Sequence, residues 1–282
     1  MAQKYFFLDS GSGEKLEQLG TFRLARPAPL AIWPKQLSPE AWQKADAVFS
    51  REEEGGKWHF PRPLPPSWEV EMGSLVFKAS LTPFGHFGFF PEHLFLSDLL
   101  LPKVKAGLAV LNLFAYTGAA TLAFAQKGAR VCHLDASKSS VAWARENAFL
   151  NHLEKAPVRW IVDDVFKFLK RELKRGQLYD GILLDPPSFG RGTRQEVFKI
   201  ETAILPLLDL CQKLLSPQAV FLAFSCHTPG FSKAVLENLL APLKKQRGGQ
   251  IFSGELFLPR SLQGPELLPL PSGTYGVWEA GC

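Results

Sequence analysis

The sequence predicts an α/β protein in which a doubly wound, seven-stranded sheet with helices on both faces follows a small β-rich N-terminal domain. Three observations predict it. From Ala109 onward, short apolar runs alternate with amphipathic helical windows, as in a parallel sheet with crossover helices. Before that, the chain reads as short extended pieces punctuated by proline and glycine. Finally, 282 residues that are 46% hydrophobic can bury one full core and still supply an accessory domain.

In the N-terminal part, extended segments are expected at 5–8, from Thr21, from Ala31, from Trp68 and from Ser74, with one short helix over 39–49. The run PRPLPP at 61–66 is a loop, because each proline lacks an amide hydrogen and restricts the residue before it. Strands are then expected at 109–114, 130–134, 158–162, 179–184 and 220–225. Helices fill the gaps at 117–126, 137–150, 165–175, 196–215 and 231–243, and extended segments at 250–258 and 274–280 complete the sheet. Right-handed crossovers put the ligand crevice at the carboxyl ends of the strands. Residues 1–83 are read as the β-rich domain and 84–282 as the ligand-binding domain, with 84–108 as a connecting segment that closes over the ligand.

Composition narrows the class. No apolar stretch is long enough for a membrane span, and the start, MAQKYFFLDSGSGEK, lacks the apolar core of an export signal. Cys132, Cys211, Cys226 and Cys282 are widely spaced, with no pair or Cys/His cluster to suggest zinc or disulfides, so a reducing cytoplasm and no metal are expected. Residues 1–100 hold 10 Lys/Arg against 12 Asp/Glu, which leaves 22 against 15 in the rest. The positive excess therefore lies in the C-terminal part, compatible with a polyanionic partner there.

Four strings carry chemistry. In VLNLFAYTGAAT, residues 110–121, a buried strand runs into a turn at Gly118 and then a helix, and a residue without Cβ lets backbone approach a nucleoside or pack tightly on a helix. The next strand ends HLDAS, which puts Asp135 at its carboxyl end, where a carboxylate accepts from ribose hydroxyls. After the third strand come Asp163 and Asp164, suited to an exocyclic amine or to capping the following helix. The fourth strand ends LLDPPSFGRG, in which two prolines stiffen the sheet exit and Asp185 sits at the crevice.

These strings, with VDDVFKFL and with HFGFFPEH ahead of the first strand, resemble the bacterial S-adenosylmethionine-dependent methyltransferases that include the large-subunit ribosomal RNA cytosine-C5 enzymes. The likeness covers 84–230 and implies a Rossmann-like fold, S-adenosyl-L-methionine as cofactor and RNA, rRNA above all, as partner. It implies that Phe114, Tyr116, Thr117 and Gly118 face the methionine part. Asp135, with Ala136 and Ser137 beside it, would face the ribose, and Asp164 with Asp163 the adenine. Asp185, Pro186 and Pro187 would face the acceptor, Asp185 would also contact the cofactor, and Phe90 would close over it. Cys226, after the fifth strand in AFSCHTPG, is the candidate nucleophile for a carbon-5 acceptor, since that carbon needs a thiolate added at its neighbour before it can attack a methyl group. One departure is visible: the N-terminal region is too short and differently patterned for the extra RNA-binding domain of the cytosine-C5 enzymes.

Rival readings make different demands. A nicotinamide dehydrogenase needs G-x-G-x-x-G for its pyrophosphate, whereas this turn reads FAYTGAA. A methyltransferase with a non-RNA acceptor, or a non-catalytic binding protein on the same fold, keeps the cofactor strings. The second of these has no use for an intact DPPSF. A further candidate feature is the stripe Lys167, Lys170, Arg171, Lys174 and Arg175, which falls on one helical face and, with Arg191 and Arg194 beyond the DPP turn, could track phosphates.

Overall fold

The computed structural model describes residues 3–52, 55–191, 197–258 and 268–281. Two compact units emerge, one formed by Met1–Phe95 with Phe257–Pro271 and the other by Leu96–Leu256 with Ser272–Cys282. The division falls after Phe95 rather than at the expected 83/84, so the HFGFFPEH segment lies with the N-terminal unit.

The N-terminal unit is built on strands β1 (Gln3–Gly11), β2 (Glu14–Leu19), β3 (Phe22–Pro27), β4 (Ala47–Glu52), β5 (Gly55–His59), β6 (Trp68–Met72) and β7 (Leu75–Ala79). They form one sheet in the order β5-β4-β3-β2-β1-β6-β7. Helix α1 spans only Pro39–Gln43, so the helix expected over 39–49 is half right. Its second half is β4, whose parallel pairing of Ala47 and Val48 with Leu24 and Ala25 overrides the helix preference of an alanine-rich run. No strand forms at Ala31; its carbonyl and that of Trp33 instead accept from Gly13 and Ser12. Buried Asp9 fixes that loop by accepting from the backbone of Gln36 and Leu37 and from Trp42 Nε1.

The second unit follows the expected alternation closely. Helix α2 (Glu92–Leu100), which crosses the unit boundary, leads to β8 (Ala109–Leu113), α3 (Ala119–Gln126), β9 (Arg130–Asp135), α4 (Lys138–Leu150), β10 (Val158–Val162), α5 (Val165–Lys174) and β11 (Gly181–Leu184). A hairpin of β12 (Phe189–Arg191) and β13 (Val197–Lys199) then precedes α6 (Ile200–Leu214), β14 (Phe221–Cys226), α7 (Lys233–Arg247), β15 (Gln250–Phe257) and β16 (Pro271–Glu279). The expected helix over 196–215 thus begins with a strand at 197–199, and Glu196 lies outside the described residues.

The main sheet runs β10-β9-β8-β11-β14-β16-β15, with β16 antiparallel to β14 and the five strands from β10 to β14 parallel. Alternate side chains feed two cores, as a sheet covered on both faces requires. Leu111, Leu113 and Leu134 pack with α5, α6 and α7, while Val110, Val131 and Leu183 pack with α2 and α3. Because strand order reverses at β8, the carboxyl ends of β8 and β11 flank the crevice where such sheets hold ligands. Among the described residues no helix is long and apolar enough to cross a membrane.

Candidate active site

The turn after β8 is wound by left-handed backbone. Phe114, Tyr116 and Gly118 have φ of 56°, 47° and 90°. For the two aromatic residues this conformation costs on the order of 1 kcal/mol each, and it persists only where neighbours over-determine it. They do so here. Ala115 N–H donates to Leu134 O at 3.0 Å, Gly118 N–H to Ala115 O at 2.9 Å, and Asn147 Nδ2 to Thr117 O at 3.0 Å. At Gly118 a Cβ would also stand 3.2 Å from that of Ala144. The missing side chain therefore serves the left-handed turn and close packing on α4.

Asp135 at the end of β9 completes the turn. Its two oxygens accept from the backbone N–H of Tyr116 and of Ser137, each at 2.8 Å, and burial pushes its carboxyl pKa up against those bonds. Each carboxylate oxygen has two lone pairs, so a donor from a ligand can still be accepted. Ala136 follows half-buried, and Ser137 is the N-cap of α4, accepting from Ser140 N–H. After β10, Asp164 caps α5 by accepting from Lys167 N–H, so the capping role is real. Asp163 accepts from Asp164 N–H and pairs with Arg171.

A different construction lies at the ends of β11 and β14. Asp185 Oδ1 accepts from Ser225 Oγ at 2.7 Å and lies 3.4 Å from His227 Nε2. Pro186 is buried, whereas Pro187 and Phe189 are exposed, the latter by 51%. A hydroxyl clasp of 2.7 Å between Ser188 and Thr228 ties the two exits together. Phe198 of the hairpin meets Phe114 edge-on, with ring centroids 5.4 Å apart. Cys226 is only 1% exposed; burial raises its thiol pKa, and hydrogen bonds from Thr228 oppose this only in part. A nucleophilic thiolate has the opposite needs, namely access and a depressed pKa.

The S-adenosylmethionine-dependent methyltransferase family model matches residues 46–237. The chain belongs to this family. It is 37% identical over 206 residues to the ribosomal RNA large subunit methyltransferase K/L of Shewanella sp. strain MR-4, covering 71% of this chain and 27% of that one. It is 33% identical over 171 residues to methyltransferase I of the same subunit from Tolumonas auensis, covering 59% and 41%. The chain thus spans well under half the length of these curated relatives. A crystal structure of an S-adenosylmethionine-dependent methyltransferase from Agrobacterium tumefaciens superposes with a TM-score of 0.93 at 38% identity, covering 99% of this chain and 91% of that one. The family fold and its cofactor, S-adenosyl-L-methionine, agree with the sequence reading.

The expected residues of β8, β9, β10 and β11 therefore collect on one edge of one sheet, as parallel neighbours must. Phe90 belongs to the N-terminal unit, where its ring packs on His86 and His93. In the basic stripe, Arg171 pairs with Asp163 and Arg175 with buried Glu172, while Lys170 and Lys174 are exposed. Arg194 lies outside the described residues. Sequence reasoning missed Ser225 and the polar trio Asn112, Thr121 and His133. For Ser225, Asn112 and His133 the available signal was a polar residue inside a strand that otherwise reads as apolar, and Thr121 stands in α3.

Proposed function

We propose that this chain transfers the methyl group of S-adenosyl-L-methionine to a base in RNA, with rRNA in the cytoplasm as the substrate. The reading rests above all on one observation: the strained turn of β8, Asp135 and the DPP exit of β11 share the carboxyl edge of one sheet in a chain of this family. The donor set suits the cofactor. Ribose hydroxyls and an adenine amine are donors, and Asp135, Asp163 and Asp164 are acceptors placed at successive strand ends. The turn from Phe114 to Gly118, with Ala136 and Ser137 at its flank, would then line the methionine and ribose side.

The bound sulfonium supplies an already electrophilic methyl group, so the protein's work is alignment and exclusion of water. Asp185, oriented by Ser225, would accept from an N–H of the acceptor base and aim its lone pair. Pro186 would hold the exit rigid, while Pro187 and Phe189 would offer apolar surface to an unstacked base. A nitrogen acceptor fits this better than carbon 5, because buried Cys226 is poorly placed to form a thiolate. The names of the relatives, ribosomal RNA large subunit methyltransferases, support the RNA class. The test is transfer from tritiated cofactor to total RNA, followed by mass spectrometry of the nucleosides. Label in rRNA as a methylated base is expected, and label confined to protein or small molecules would overturn the RNA assignment.

A further inference from the structure

At the exits of β11 and β14 an imidazole stands beside the carboxylate that the proposed reaction uses. His227 Nε2 lies 3.4 Å from Asp185 Oδ1, the same oxygen that accepts from Ser225 Oγ at 2.7 Å. The His227 side chain is 35% exposed, so a proton that reaches it can leave to water. An ion pair at a sheet rim contributes little where solvent screens it, and the seat of this ring is more elaborate than such a pair needs.

That seat is made by three elements. Gly273, in β16, has a φ of 132°, and a Cβ there would stand 2.8 Å from His227 Nδ1 and 2.9 Å from Cys226 O. A glycine is what leaves that space. The loop after β14 is pinned as well: Thr274 Oγ1 donates to Phe231 O at 2.7 Å, and Phe231 N–H to Thr228 O at 3.2 Å. Thr228, next to the imidazole in the chain, is clasped to Ser188 at the exit of β11. His227 is therefore held at the carboxyl edge of the sheet, against the DPP turn.

The chemistry of the acceptor gives such a ring a use. A base nitrogen that carries hydrogen has its lone pair drawn into the ring system and becomes a strong nucleophile only as the hydrogen leaves. A positioned proton acceptor is worth about 10²- to 10⁴-fold in such a step. Imidazole is the side chain whose ordinary pKa lies nearest neutrality. We propose that Asp185 and His227 form the proton-accepting pair of the transfer step, and hence that the acceptor is a nitrogen bearing hydrogen, an exocyclic amine or a ring imino group. The N–H bond breaks as its electron pair forms the bond to the methyl carbon, and the carbon–sulfur pair goes to sulfur, leaving a neutral thioether. The proton passes by way of Asp185 to the imidazole and on to water. The inference rests on an RNA base being the acceptor.

The experiment is single-turnover methyl transfer from S-adenosyl-L-methionine to total RNA by the full chain, with and without added imidazole. S-adenosylhomocysteine titration by calorimetry and mass spectrometry of the nucleosides accompany it. His227→Ala should slow the step by about 100-fold and leave S-adenosylhomocysteine affinity within about twofold. Millimolar imidazole should then raise the rate of this variant by about tenfold and leave wild type unchanged, a rescue that damage to packing would not show. His227→Gln, which fills the seat and cannot take up the proton, should be as slow as His227→Ala. A near-wild-type rate in either variant, a loss in His227→Ala that imidazole does not repair, or a product methylated at a nitrogen without hydrogen, such as guanine N7, overturns the pair. Wild type that puts no label into RNA overturns the RNA reading itself, and this inference with it.

Discussion

Two constructions meet at the carboxyl edge of the main sheet. On the β8/β9 side the site is made of backbone: three left-handed residues in a row of five, held by Asp135, Asn147 and main-chain bonds, with little side-chain variety exposed. On the β11/β14 side it is made of side chains: Asp185 against Ser225 and His227, a Ser188–Thr228 clasp, and exposed Pro187 and Phe189. If the first half seats the cofactor as proposed, substitutions there would act by disturbing its backbone geometry. The second half can be re-aimed by changing one side chain, as would suit selection of an acceptor.

Breaking the side-chain half should affect turnover and spare cofactor binding. Asp185→Asn removes the charge but keeps the shape. We expect kcat to fall about 10- to 100-fold, in line with the ~1.5–3 kcal/mol of a hydrogen bond to a charged group. The dissociation constant for S-adenosylhomocysteine should change less than kcat, since Asp185 is proposed to act mainly on the acceptor and only border the cofactor. Equal losses in both would show that the two halves are not separable.

The backbone half should fail in the opposite sense. Asp135→Ala strands the N–H groups of Tyr116 and Ser137 and unfastens a turn that is strained without them. Cofactor affinity should drop by about tenfold or more, with loss of thermal stability as well, since buried unpaired amides cost ~1–3 kcal/mol each. Calorimetry that finds unchanged affinity would remove Asp135 from the cofactor site.

The same contrast explains what was legible in the sequence. The turn and the strand ends could be read because a buried strand, a glycine and a carboxylate in series have few other uses, and every strand of the main sheet was placed within a few residues. The supports could not be read. His133 and Asn112 look like interruptions of apolar strands, and only the packing of α3 on the sheet brings Thr121 between them. The β12–β13 hairpin escaped because each strand is three residues long, too short for periodicity to register. In the N-terminal unit, β5 begins with two glycines, and its ladder with β4 comes from tertiary pairing rather than propensity.

Smaller effects are expected on the basic face of α5. Exchanging exposed Lys170 and Lys174 for glutamine should lower RNA affinity a few-fold and reduce the salt slope by about 0.7 per charge removed, the value for single strands. Arg175→Gln, which breaks the pair with buried Glu172, should instead cost stability and leave the slope unchanged. A slope left unchanged by the lysine exchanges would make α5 the solvated back of the domain.

Cys226 should give the smallest effect, and it separates two chemistries. A carbon-5 mechanism needs the sulfur to form and later release a bond to the base, so Cys226→Ala would abolish single turnover. The structure supplies the opposite environment: a thiol 1% exposed in the apolar core beneath α6 and α7, with its pKa raised by burial and by the nearby carboxylates of Asp185 and Glu201. Small buried thiols in such positions act as apolar filler. Removing the sulfur should leave a cavity smaller than a methionine side chain and cost ~1 kcal/mol of stability. The chemical step should remain within about threefold, measured as single-turnover methyl transfer to RNA at saturating cofactor. A near-normal rate makes the acceptor's own lone pair, oriented by Asp185 and the DPP turn, the nucleophile, and nitrogen or oxygen methylation the better account. Complete loss of the step in a folded, cofactor-binding variant would reverse that conclusion and require β14 to expose its last residue during turnover.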